Sequence, residues 1–364
     1  MYIPLLPLAF LNLKILRGTQ DSLEKFKFYR RGSHALAAIL HSLKPKGFRT
    51  VLLPAYICAS VVKSIRMCGF NLRFYKINED MKIKEIPLRE QRNILLLVHY
   101  FGFPQPVERL ASICKNDNIF LIEDCAHAPL TTLNGRRLGE FGDASIFSLW
   151  KVFPVPDGGA LLVNSKINVP SPSGKAGSAY MIRILLKEWV RLICWKLQVP
   201  PVWIAKYPSR DQLERRRREA FMKNPTPCFD IKSISSISRR ILKSVDFNEI
   251  AIRRRRNFTF WLENLPRSPK VKPVYEELPE GVVPFSFPVI VSNRDEIREE
   301  LRRRGIYLGA GFPESPVVPE GMEGKFKVSQ YLARNLLELP VHQSLDVHHL
   351  RKVLEHLVKV LKKV

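Results

Sequence analysis

Between residues 50 and 165 the chain alternates short, unbroken apolar runs with stretches of helical character. No other feature narrows the choice of fold so far. The runs are TVLLPAY (50–56), NLRFYKI (71–77), NILLLVHY (93–100), IFLIEDCA (119–126), ASIFSL (144–149) and GALLVNS (159–165). Between several of them lie segments such as ASVVKSIRMCGF and PVERLASICKNDN, which read as helices. Strands that are apolar at successive positions have both faces covered, and strands separated by helices form a mostly parallel sheet. The expected architecture is therefore α/β, with a large domain whose mostly parallel sheet is flanked by helices. Such sheets bind ligands beyond the C-terminal ends of their strands. Pro54-Ala55-Tyr56, His99-Tyr100, Asp124 and Ser148 all fall at those ends.

After residue 165 the pattern changes. Residues 166–178 (KINVPSPSGKAGS) form a Pro/Ser/Gly linker. Residues 179–199 read as an amphipathic helix, with Arg183, Lys187, Arg191 and Lys196 near helical spacing and Leu, Ile and Trp on the other side. Two readings stay open for it: a helix packed on the core or on a second subunit, or a basic surface helix touching acidic membrane lipid. From about residue 267 a smaller αβ unit follows, with a strand in VPFSFPVIV, a helix in NRDEIREELRRRG and a terminal helix in LDVHHLRKVLEHLVKVLKK. The divisions that result are a large αβ domain over 1–165, a linker and basic helical insertion over 166–225, and a C-terminal helix with a small αβ domain over 226–364.

The chain carries a formal net charge of +25, part of it in RRRR at 215–218, RRRR at 253–256 and RRR at 302–304. These runs are either solvated helix faces or a footprint for an anion: a nucleotide-bearing substrate, acidic lipid or nucleic acid. No RRM, KH or zinc-finger signature accompanies them, so nucleic acid is not the expected partner. No uninterrupted apolar run reaches membrane-spanning length. The apolar N-terminus, MYIPLLPLAFLNLKIL, has neither a basic leader nor a small-residue cleavage site and reads as a segment packed on the protein body. Cysteines 58, 68, 114, 125, 194 and 228 form no C-x-x-C pair, so neither a metal site nor a disulfide framework is expected. A reducing cytoplasm suits them.

Three short segments carry chemistry. Asp124 ends an apolar strand in IEDCAHA, where its carboxylate would face a cleft or cap a following helix. Lys151 is the one amine in FSLWKVFPVPDGGALLV (147–163), and an amine in apolar surroundings is a poised nucleophile because desolvation disfavours its charged form. Gly32-Ser33 opens the ALAAIL helix, whose N-terminal N–H groups suit an anion such as phosphate.

In their order these segments resemble the DegT/DnrJ/EryC1/StrS family of sugar aminotransferases, which depend on pyridoxal 5'-phosphate (PLP) and have the fold-type-I aminotransferase fold. Arg31-Gly32-Ser33-His34-Ala35-Leu36 corresponds to the family's opening Ser-Gly-Thr turn, LPAYIC (53–58) to VPSFTF, and VHYFG (98–102) to VHLYG. IEDCAHA (122–128) corresponds to IEDAAQA, GRRLGEFGD (135–143) to the glycine-spaced segment, and FSLWKVFPVPDGGA (147–160) to the lysine block. RRRRNFTFWLENL, LRRRGIYLG and LPVHQSL match C-terminal patterns. The likeness covers most of the chain except about 166–225.

What the resemblance implies can be assigned residue by residue. Lys151 would form the Schiff base with the cofactor and act as general acid and base, and Asp124 would pair with the pyridine nitrogen. Gly32, Ser33 and Ser148 would hold the phosphate, Tyr56 (or Cys58, in a shifted register) would take the place of the aromatic over the ring, and His127 would border it. His99 and Tyr100 are candidates for substrate contact, and no metal is involved. The family's dehydratases replace the lysine with histidine, so Lys151 points to transamination. Two departures stand out. The chain is two residues shorter than the family between Ser148 and Lys151, and the Tyr-Asn-Tyr-Arg segment that reaches the neighbouring subunit's cofactor becomes Phe229-Asp230-Ile231-Lys232.

The implied activity is amination of a nucleotide-linked keto-sugar with a donor such as glutamate, for polysaccharide or glycoconjugate biosynthesis, by a cytoplasmic homodimer. The alternatives are a non-catalytic PLP-fold protein that binds or regulates, and a basic protein associated with a membrane surface.

Overall fold

The computed structural model describes residues 21–85, 92–172, 174, 177–198, 231–308, 318–319 and 321–363. The N-terminal segment, the 215–218 arginine run, Cys228 and Asp230 lie outside them.

The apolar runs form an eight-stranded sheet. In chain order its strands are β1 (Phe26–Tyr29), β2 (Thr50–Pro54), β3 (Asn71–Ile77), β4 (Ile83–Glu85), β5 (Asn93–Val98), β6 (Phe120–Asp124), then β9 (Ala144–Phe147) and β10 (Gly159–Val163). A two-stranded hairpin, β7 (Thr132–Leu133) with β8 (Arg136–Arg137), intervenes. The spatial order is β1-β10-β9-β6-β5-β2-β3-β4. The central five, β9-β6-β5-β2-β3, are parallel to their neighbours, and β10, β1 and β4 add antiparallel edges. Every residue of β5 and β6 is buried, as strands covered on both faces must be.

Helices supply that cover. α1 (Gly32–Leu43) buries eight of its residues and packs on β9, β10 and α2 (Ala59–Met67). α3 (Val107–Asn116) buries Val107, Leu110 and Cys114, the one-sided spacing of an amphipathic helix, and packs on β6. Each fully buried Leu, Ile or Phe in such a layer contributes roughly 1.5–3 kcal/mol by removing apolar surface from water.

α4 (Ser178–Lys196) follows the linker, and then α5 (Ser236–Ser244) and α6 (Phe247–Asn264). The last begins where the Asp246 carboxylate accepts the N–H groups of Asn248 and Glu249, a side-chain cap on the exposed donors of the first turn. A second, three-stranded antiparallel sheet joins β11 (Val271–Pro273), β12 (Phe287–Val291) and β13 (Leu336–Leu339). α7 (Arg294–Arg303), α8 (Lys327–Asn335) and α9 (Val347–Lys363) accompany it.

The arginine run at 253–256 departs from the sequence reading of a solvated face or an anion footprint at Arg254 and Arg255, while Arg256 stays exposed. Arg254 is fully buried in α6; its guanidinium donates to Gln343 Oε1 and to the carbonyls of Pro284, Phe285 and Val152. Arg255 donates to the carbonyls of Pro279 and Val282. Burial pushes the Arg254 guanidinium down to about 9, which leaves it charged at neutral pH. The 302–304 run does line a helix end, pairing with Glu299 and Glu300 one turn earlier.

Candidate active site

The C-terminal ends of the parallel strands lie along one edge of the sheet. Asp124 closes β6, where its carboxylate is buried and accepts the Ala126 N–H at 3.0 Å. Burial pushes its carboxyl above the ordinary range, and the positive charge of Lys151 and the Ala126 N–H pull it partly back. The lysine stands on a single 3₁₀ turn, Leu149–Lys151, directly after β9. Its N–H bonds the Ser148 carbonyl at 3.2 Å, and the Leu149 N–H bonds the Gly158 carbonyl at 3.0 Å. One tight turn thus carries the amine.

Lys151 Nζ lies 3.0 Å from His127 Nε2. The other ring nitrogen of His127 accepts the Phe101 N–H at 3.4 Å, which leaves Nε2 as the nitrogen that meets the lysine. Burial, reinforced by the lysine's charge, holds His127 well below its ordinary value and keeps it neutral. Its ring stacks on Phe285, with centroids 4.2 Å apart and planes 8° from parallel.

The Asp157-Gly158-Gly159 segment after the lysine ties three elements together. The Asp157 carboxylate accepts from Ser235 Oγ, Ser238 Oγ and Tyr180 Oη, joining the loop to α5 and α4. Gly159 passes so close to the start of α1 that a Cβ there would meet the Arg31 carbonyl carbon at 2.1 Å. Only glycine fits between the lysine loop and the helix start.

At that helix start, a Cβ on Gly32 would lie 3.1 Å from the Phe147 carbonyl oxygen and 3.5 Å from Ser148 Cβ. The space a side chain would fill is a backbone cradle beside the Ser148 side chain, at the positive end of α1. An amine, a buried carboxylate and a helix-end cradle are the donor set that an aldehyde-bearing, phosphorylated pyridine requires, so these residues fit PLP. Tyr56, at the end of β2, is wholly buried, its ring 5.8 Å from that of Tyr100.

His99 and Tyr100, expected to meet substrate, are turned to structural work instead. His99 Nδ1 accepts the Gln105 N–H and its Nε2 donates to Glu123, while Tyr100 Oη donates to the Tyr56 carbonyl. Glu123 alternates with Asp124 along β6 and so points to the other face of the sheet. Burial raises its pKa, but hydrogen bonds from His99 and from the N–H groups of Gly142 and Gly139 outweigh this and hold it below the usual carboxylate range. His99, Glu123 and Cys125 come close enough to ligate a metal ion, yet the two Glu123 oxygens are already covered by His99 and three backbone N–H groups.

Three contributors carry no local signature in the sequence: Phe285 behind His127, Arg254 beneath the lysine turn, and Asp157. The Val152 carbonyl, next to the lysine, accepts from both Arg254 and Gln343, so the turn is held from below by residues far along the chain.

The sequence pattern of the DegT/DnrJ/EryC1/StrS aminotransferase family matches residues 29–169, the stretch that holds Gly32, Asp124, His127 and Lys151. Over those residues the chain matches the family's pattern. It is 32% identical over 127 residues to a GDP-perosamine synthase of Vibrio cholerae, a match covering 32% of this chain and 34% of that protein. The aligned stretch thus spans about a third of that relative's length. A dTDP-4-dehydro-2,3,6-trideoxy-D-glucose 4-aminotransferase of Saccharopolyspora spinosa is 24% identical over 93% of this chain and 85% of its own. Among solved structures, the putative sugar aminotransferase Spr1654 of Streptococcus pneumoniae in its PLP form superposes with a TM-score of 0.68 at 16% identity, covering 100% of this chain and 99% of that one. The fold-type-I expectation therefore holds at the level of the fold.

Proposed function

We propose that the protein is a PLP-dependent aminotransferase that converts a nucleotide-linked keto-sugar into an amino sugar, with an amino acid such as glutamate as donor, in polysaccharide or glycoconjugate biosynthesis. The observation that carries this reading is the meeting of Lys151 with His127 at 3.0 Å, with the buried Asp124 carboxylate near enough to feel the lysine's charge.

When bound, PLP supplies an aldehyde that accepts amino groups and a ring that draws electrons from a carbon losing its proton. The protein's part follows from its own groups. Lys151 Nζ would hold the aldehyde, and its amine is the group that could carry a proton at the substrate carbon. His127, neutral and fixed between Phe101 and Phe285, offers Nε2 as the neighbouring proton site. Asp124 would keep a proton on the ring nitrogen, and its burial would strengthen that charge pairing by excluding water. Gly32, Ser33 and Ser148 would receive the phosphate, and Tyr56 would wall the ring. Domain roles follow the divisions at 165 and 225, with the site in the first part and the small sheet closing on it through Phe285. The unit is a cytoplasmic homodimer in contact with acidic membrane lipid.

Incubating the purified protein with PLP, glutamate and a panel of nucleotide-linked keto-sugars tests the reaction. An amino sugar and an equivalent of 2-oxoglutarate are expected. Full PLP occupancy with no turnover of any sugar, and no exchange of the amino group from glutamate, would favour the non-catalytic alternative.

A further inference from the structure

Helix α4 is apolar on two opposite sides. Ile184 and Trp195 are buried against the protein, with Trp195 stacked on His349 of α9. On the far side Ile182, Leu186, Trp189, Ile193 and the following Leu197 keep 59%, 61%, 59%, 47% and 68% of their surface exposed. At 3.6 residues per turn these five, with Val190, fall within about 100° of the helix circumference. Exposed Arg183 and Lys187 border one edge of this ridge and exposed Lys196 the other.

We infer that this ridge is a docking surface for an acidic lipid bilayer, on which α4 lies in the plane of the interface. The charges on the helix select this occupant. Its one acidic residue, Glu188, is buried and paired with Arg191 at 2.9 Å, so the outward edges are purely basic. A second copy meeting the ridge across a two-fold axis would set Arg183, Lys187 and Lys196 against themselves. The following stretch of this chain, with its 215–218 arginines, has the same sign. An acidic membrane complements both features: lysine and arginine edges meet anionic headgroups while Trp, Leu and Ile enter the boundary beneath. No described helix is long and apolar enough to span a bilayer, so the contact is peripheral.

The surface also bears on the active site. Tyr180, in the first turn of α4, lies under the Arg30 guanidinium at 3.3 Å and donates to Asp157, which leads into the Gly-Gly pair beside Lys151. Docking of α4 fixes how the active-site face is presented to the membrane. This inference stands independently of the reaction.

Co-sedimentation of the full-length, PLP-loaded protein with phosphatidylglycerol–phosphatidylcholine vesicles and with pure phosphatidylcholine vesicles tests it, at rising salt and beside light scattering. Wild-type protein is expected to bind the acidic vesicles and not the neutral ones, weakening with salt. The Leu186→Glu/Trp189→Glu variant is expected to lose binding by about ten-fold or more, with PLP uptake and melting temperature unchanged. If that variant fails to fold, Lys187→Glu/Lys196→Glu provides the readout, with a several-fold loss at low salt expected. Absence of wild-type binding, equal binding to neutral vesicles, or full binding by the variants overturns the inference. So does a fall in oligomeric mass in the variants without any vesicle binding by wild type, which would make the ridge a contact between copies.

Discussion

Lys151 and His127 meet at 3.0 Å, and the far nitrogen of that histidine accepts the Phe101 N–H, which fixes the ring with Nε2 toward the amine. The histidine is packed against Phe285 and Phe101, and burial keeps the imidazole neutral.

That neutrality has a pH signature. The folded His127 refuses a proton that the unfolded chain takes up near its ordinary 6.5. Its contribution is therefore complete above that value and is lost as pH falls below it, by up to about 1.4 kcal/mol per pH unit. Urea unfolding of the His127→Gln variant at pH 7.5 and 5.5 should show a smaller loss on acidification than wild type. An identical loss would mean that His127 titrates freely in the folded protein.

Glu123 supports the site from behind the sheet. Its oxygens accept from Gly139, Phe141, Gly142 and His99. Glu123→Gln turns an amide N–H₂ toward those donors and should destabilise the fold by about 3 kcal/mol, read from the urea midpoint. Chelators should leave the wild-type midpoint unmoved.

Arg254 is the buried clasp of the lysine turn. Arg254→Met removes donors from Val152, Pro284, Phe285 and Gln343 and should cost about 3–5 kcal/mol with a loss of turnover. Lys at the same place should restore little, because a single ammonium cannot reproduce the planar fork. Near-wild-type stability of Arg254→Lys, measured by thermal melting, would show that charge alone suffices.

Gly159 admits no side chain against Arg31. Gly159→Ala should lower the melting temperature by several degrees and weaken PLP retention by displacing the start of α1. Gly177→Ala, where no atom lies within 4 Å of the added carbon, should match wild type.

Much of this site was legible because its parts follow local rules. Unbroken runs such as NILLLV and FLIED state that both faces of the sheet are covered, and strand ends then locate Asp124 and the lysine turn. The partners of those residues obey no such rule. Phe285 reaches His127 and Arg254 reaches Val152 across long stretches of chain, and an arginine in a four-arginine run gives no local sign of being buried. For His99 and Tyr100 the strand end gives only their place along the sheet, while local turns decide that their polar atoms bond Gln105, Glu123 and the Tyr56 carbonyl. Helix α4 showed its basic residues in the sequence, but its second apolar face emerges only once the first is seen packed on the body.

The account rests on Lys151 as the point of attachment for PLP. The most direct measurement is borohydride reduction of the PLP-loaded protein followed by peptide mass spectrometry. The label is predicted on the peptide containing Lys151, with a visible absorbance band before reduction and no covalent label in Lys151→Ala. A reducible label persisting in Lys151→Ala, or found on another lysine in the wild type, would contradict the account.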